Sequence, residues 1–139
     1  MFRSKNFNID SISVGVTDNP ELSRMTITTI GDEKQVAQIV KQLDKMIDTL
    51  EVRQLDEHKT VYRELSIFKI NLSNASDSME INKLANAYGG KVHDVKKESM
   101  MVELTATPDQ IEAFEELVKP FGIIDVARTG VAALQRSGA

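Results

Sequence analysis

Hydrophobic and polar positions alternate at the opening of the chain. From Ile9 to Val16, the residues Ile12, Val14 and Val16 share one phase, with Ser11, Ser13 and Gly15 between them. That period of two predicts a half-buried strand. The polar run TDNPELS follows, in which Asn19 and Pro20 favour a turn, and Arg24 to Ile30, rich in Thr and Ile, predicts a second strand. The two are expected to pair as an antiparallel hairpin. From Val36 the spacing changes, and Ile39, Val40, Leu43, Met46 and Ile47 fall along one face of a helix that Asp32 and Gln35 would cap near Glu33. Leu50, Val52 and Leu55 suggest a short strand, and DEHKT at 56–60 a linker or exposed loop. Residues 1–58 therefore read strand, strand, helix, strand.

Residues 59–139 repeat and extend that order. A strand from Arg63 to Leu72 places Leu65, Ile67, Phe68 and Ile70 so that one face is buried and the other partly so. A helix follows, with Asp77 and Glu80 as its capping pair, Ile81, Leu84, Ala85 and Tyr88 on its inner side, and Gly89-Gly90 as a left-handed stop. Val92 to Lys96 and Met100 to Ala106 predict two strands joined at KKES, the second with Met100, Val102 and Leu104 in one phase. Thr107, Pro108 and Gln110 then supply a cap, a first-turn proline and a capping-box partner for a helix carrying Ile111, Phe114, Leu117 and Val118. Pro120 ends it, and Ile123, Ile124 and Val126 begin a last strand before a Gly/Ala-rich tail. The order strand, helix, strand, strand, helix, strand is that of a ferredoxin-like split βαβ unit, with helices covering one face of an antiparallel sheet. The fold class is α+β, with the first unit showing the same order without its opening strand and most of its first helix. Three strands and one helix bury little apolar area against the ordering entropy of that segment, so the first unit is expected to dimerise or dock.

Composition narrows the chemistry. The chain has 139 residues with a net charge of -4, which argues against a broad nucleic-acid or anionic-membrane surface. It contains no cysteine, so disulfides, thiol catalysis and thiolate metal sites are excluded. No run approaches the roughly 20 apolar residues that span a bilayer, and a cytoplasmic location is expected. His58 and His93 read as a loop residue and a surface or structural histidine, and no metal-binding or phosphate-binding spacing appears. Enzyme activity in this chain is not expected. Asn8, at a strand start, offers a donor and an acceptor to an amino-acid ligand. Arg24 precedes a strand as an ordinary exposed cation or a partner-facing guanidinium.

The stretch FNIDSISVGVTDNPELSRMTITTIGDEK, with QIVKQLDKMIDTLEV, YRELSIFKI and PFGIIDVARTGVAALQR, resembles the small, regulatory subunit family of acetolactate synthase across essentially the whole chain. The pattern NIxSxxVxxTxxPxLSRMTI is its most specific part. The resemblance implies a partial ACT domain at 1–58 and a C-terminal ferredoxin-like domain at 59–139. It implies a non-catalytic subunit that activates a large catalytic subunit and confers feedback inhibition by valine in branched-chain amino acid biosynthesis. Thiamine diphosphate, Mg²⁺ and FAD belong by the same resemblance to the large subunit, and no cofactor to this chain. A homodimer through the ACT domain is also implied. The family's usual opening, of the form SVLVENxPGVLxRVxGLF, holds the Asn and Gly that grip the effector and would precede Met1. Asn8 is the one effector contact that carries over, so partner recognition is expected to outlast valine sensing. Arg24 and Met25 are the candidate partner contacts, while Arg128, Thr129 and Gly130 belong to the C-terminal signature as partner contact or turn. Two other readings stay open: a stand-alone amino-acid-responsive regulator of another enzyme, and a truncated product without effector binding.

Overall fold

The computed structural model describes residues 9–29, 33–45 and 54–138. The chain divides into two compact units, Met1–Val61 with Ala133–Ala139, and Tyr62–Ala132. In the first, β1 (Ile9–Val16) and β2 (Ser23–Thr29) form the expected antiparallel hairpin, with Val14 opposite Met25 and Gly15 opposite Arg24. The connection is fixed by its own polar groups. Thr17 Oγ1 donates to the Asn19 carbonyl at 2.9 Å, the Leu22 amide donates to that same carbonyl at 2.9 Å, and Asn19 Oδ1 accepts the Glu21 amide at 3.1 Å. This is the local closure that Asn favours in turns. Helix α1 (Glu33–Asp44) begins where its apolar period predicts and buries Ile39, with Val36 and Val40 half-buried beside it. The expected cap at Asp32 and the apolar positions Met46, Ile47, Leu50 and Val52 lie outside the described residues. Leu55 belongs to no strand and is exposed.

The second unit holds α2 (Asp77–Ala87), β4 (Lys91–Val95), β5 (Ser99–Ala106) and α3 (Pro108–Val118), with most of β3 (Thr60–Asn71) and of β6 (Ile123–Gln135). Its sheet order, β4-β5-β3-β6, is the ferredoxin-like arrangement. The period of two decides which side of the sheet meets the helices. Ser66, Phe68 and Ile70 of β3 and Met100, Val102 and Leu104 of β5 point inward, against Ile81 and Ala85 of α2 and Ile111, Phe114 and Val118 of α3. Leu65 and Ile67 occupy the opposite face and are half-buried, as the mixed pattern of that strand predicts. Phe114 is the hub: its ring meets Phe68 edge-on at 5.2 Å and Tyr88 at 5.7 Å, a geometry aromatic pairs favour. The fold is α+β with ferredoxin-like repeats, the described part of the first unit supplying the strand-strand-helix portion of the pattern.

Local chemistry explains the boundaries. Thr107 and Gln110 form both bonds of the expected capping box at α3, with Pro108 in its first turn. At α2 the expected capping role of Asp77 is corrected. Asp77 lies within the first turn, buried, and its Oδ2 accepts the amides of Ser73 and Asn74 at 2.9 and 3.1 Å, so it fastens the preceding loop. Ser76, just ahead of the helix, makes no capping bond. Gly89 ends α2 at φ 72, a backbone shape that costs a residue with a Cβ about 1–2 kcal/mol. The Gly/Ala-rich segment expected to be a tail is instead the second half of β6, which runs to Gln135. The segment at 56–60 is tighter than a free loop. Asp56 caps a short 3₁₀ turn at Glu57–Lys59 by accepting the His58 amide at 2.9 Å, and β3 starts at Thr60.

Candidate functional site

Two places carry the residues that the sequence singles out. The first is the hairpin. Residues opposite one another across antiparallel strands point to the same face, and neighbours along a strand point to opposite faces. Val14 and Met25 therefore share one face, and Gly15 and Arg24 the other. Val14 is 64% and Met25 57% exposed, an apolar cross-strand pair open to solvent near the turn. Arg24 is exposed as well. The structure thus separates the two partner-contact candidates, although they are adjacent in sequence. Asn8, the effector-contact candidate, lies outside the described residues.

The second place is the RTG sequence of β6, and it gains a partner that sequence reasoning missed. Glu64 of β3 is 4% exposed, in phase with Ser66, Phe68 and Ile70. An ionised carboxylate in such a position is costly unless paired and hydrogen-bonded. Arg128 supplies both: its Nη2 and Nε donate to Glu64 Oε1 at 2.5 and 3.1 Å. The Gly130 amide donates to Oε2 at 2.9 Å. Thr129 closes the group from the other side, its Oγ1 accepting the Leu65 amide at 3.1 Å. The bond to Glu64 raises the Arg128 pKa above the ordinary arginine value, burial opposes it, and the charges of Glu64, Glu112 and Glu115 add to it. Gly130, whose amide makes that bond, adopts φ 85, a backbone shape that glycine takes without steric cost. Arg128, Thr129 and Gly130 are therefore a clasp that fastens β6 to β3. The one available signal in the sequence was an acidic side chain in phase with a core strand, with an arginine in the final strand to answer it.

The remaining candidates behave as ordinary surface chemistry. His93 is exposed and its Nε2 lies 2.8 Å from Glu103 Oε1 on the neighbouring strand. His58 is exposed in the 3₁₀ turn. Lys96 pairs loosely with Asp94 at 3.4 Å, and its amide closes the β4-β5 turn on the Ser99 carbonyl at 2.8 Å. Among the described residues no group of three or more His, Asp or Glu side chains is placed to hold a metal ion.

Comparison with known proteins agrees with this architecture. Residues 63–137 match the family described as the small subunit of acetolactate synthase, and residues 1–51 match the family described as the AHAS small subunit-like ACT domain. The chain is 40% identical over 136 residues to a probable acetolactate synthase small subunit of Methanothermobacter thermautotrophicus, covering 98% of this chain and 81% of that protein. It is 38% identical over 137 residues to the acetolactate synthase isozyme 3 small subunit of Escherichia coli, covering 98% and 83%. Among solved structures, the crystal structure of the acetolactate synthase small subunit from Thermotoga maritima superposes with a TM-score of 0.85 at 35% identity, covering 96% of this chain and 83% of that one. With both halves matched in order and relatives aligned along nearly its whole length, the chain belongs to the acetolactate synthase small-subunit family.

Proposed function

We propose that this chain is a cytoplasmic, non-catalytic regulatory subunit of acetolactate synthase, which activates the large catalytic subunit and mediates feedback inhibition by valine in branched-chain amino acid biosynthesis. The observation that carries the reading is the ordered pair of family matches, an ACT-type match at 1–51 followed by a small-subunit match at 63–137. The condensation chemistry, with thiamine diphosphate, Mg²⁺ and FAD, belongs in this reading to the large subunit. This chain contributes binding energy and a choice between conformations.

Physically, the effector works at a seam between two ACT protomers of a homodimer. The charged ends of an amino acid require several hydrogen bonds to offset their desolvation, and Asn8 supplies a donor and an acceptor there. Valine bound more tightly to one dimer state shifts the populations of active and inhibited large subunit by no more than its difference in affinity for the two states. The hairpin supplies the contact to the large subunit, through Val14 and Met25 on one face or Arg24 on the other. The test is acetolactate formation by the purified large subunit with and without this chain, followed by a valine titration. Unchanged activity on adding the chain would end the activation reading. Activation without any response to millimolar valine would end the feedback reading alone.

A further inference from the structure

We infer that the face of the four-stranded sheet opposite its own helices docks an apolar surface rimmed by carboxylates on the catalytic partner, an assignment that rests on the regulatory reading above. Within the second unit, helices α2 and α3 pack on one side of the sheet, where the inward phase of β3 and β5 forms the core with them. On the other side Leu65 and Ile67 of β3 and Met101 of β5 form a half-buried apolar centre. The strand register puts Lys69 opposite Met101, and Ile67 opposite Glu103, which in turn lies opposite Lys91. Arg63, Lys69 and Lys91 stand exposed around that centre. Among the described residues neither Lys69 nor Lys91 forms an ion pair.

Charge decides the occupant. On this face Glu103 is engaged by His93 at 2.8 Å. Asp125 of β6 also points this way, because Arg128, three positions on, reaches the inward Glu64. Three permanent cations thus face two carboxylates. The helical side is the reverse: α3 exposes Asp109, Glu112 and Glu116, with Lys119 following it and paired to Glu116 at 3.1 Å. Within a chain of net charge -4, this sheet face is therefore the basic side of the unit. A second copy stacked face to face would set this excess of cations against its own equivalent, which is unfavourable where water is excluded. A partner surface with acidic groups around an apolar patch is complementary in both respects, the apolar centre supplying burial and the lysines register and encounter rate.

The experiment measures binding of this chain to the purified large subunit by titration calorimetry, for wild type, Lys69→Glu/Lys91→Glu and Ile67→Asp. Thermal unfolding of each variant reports whether it folds. The expected result is wild-type affinity that falls as salt rises, and affinity at least about tenfold weaker in the charge-reversed variant. Lys69→Gln/Lys91→Gln carries the test should Ile67→Asp fail to fold, with a smaller loss in the same direction. Wild-type binding with unchanged affinity in the folded lysine variants overturns this surface and leaves the regulatory reading intact. Absence of wild-type binding overturns both. A wild-type dimer that Ile67→Asp converts to monomer in sedimentation, with binding to the large subunit unaffected, assigns the face to a second copy and also overturns the proposal.

Discussion

Replacing Arg128 with Ala tests whether the clasp on Glu64 stabilises the second unit. The substitution removes two hydrogen bonds, at 2.5 and 3.1 Å, from a carboxylate that is 4% exposed, and leaves it the Gly130 amide. Hydrogen bonds to charged groups contribute about 1.5–3 kcal/mol each, and breaking a fully buried ion pair costs about 3–5 kcal/mol. The Arg128 side chain is 29% exposed, so water can enter the space it vacates and solvate part of the charge. The expected loss is therefore about 2–3 kcal/mol, below the fully buried range. Urea unfolding followed by far-ultraviolet circular dichroism is the suitable assay, because the chain has no tryptophan to report by fluorescence. At about 1–3 kcal/mol per molar urea, the midpoint should fall by roughly 0.7–3 M. The double substitution Glu64→Leu/Arg128→Leu should cost less than the sum of its parts, since neither charge is then stranded. The arginine pKa is raised in the folded state, so its contribution is fully present below the ordinary arginine value and is lost only as pH rises through the folded one. The difference between wild type and Arg128→Ala should consequently stay flat from about pH 7 to 10. A loss under about 0.5 kcal/mol at neutral pH would refute the reasoning, because it would mean the carboxylate needs no partner there.

Other substitutions separate the remaining contributions. Phe114→Ala, at a side chain with no exposure and two edge-on aromatic neighbours, should cost about 3–5 kcal/mol in the same urea titration, and Phe114→Leu clearly less. Thr107→Ala removes a formed capping box and should cost about 1 kcal/mol, whereas Ser76→Ala, where no capping bond exists, should stay within about 0.5 kcal/mol. Met25→Ser and Arg24→Ala point from opposite faces of the hairpin, so in activation assays with the large subunit one should lower the apparent affinity and the other leave it unchanged. Equal losses from both would require a partner that grips the ribbon on two sides.

Periodicity made most of the fold legible. The alternation of Met100, Val102 and Leu104 matches the buried phase of β5, and Thr107-Pro108-Gln110 marks the start of α3. These signals are local, because a strand's phase and a capping box are written within a few residues. Asp77 departs from the capping role its position predicts because a carboxylate near a helix start can accept amides from either direction, and here the loop amides of Ser73 and Asn74 take it. Composition hides the second half of β6: GVAAL has small residues and a glycine, which resemble a tail until a neighbouring strand pairs with them. The clasp joins residues 64 positions apart, and no local rule connects a glutamate in one strand to an arginine in another. The candidate contacts at the hairpin were legible as residues, but their separation onto two faces emerges only when strand register is known.

The clasp also ties distant stretches of the chain into one closing event. Glu64 and its partners Arg128 and Gly130 lie 64 and 66 positions apart, with α2, β4, β5 and α3 between them. A contact at that separation must first meet the cost of closing a long loop, whereas the caps and turns inside the loop need only their neighbours. Substitutions at the clasp should therefore speed unfolding more than they slow refolding in stopped-flow urea jumps.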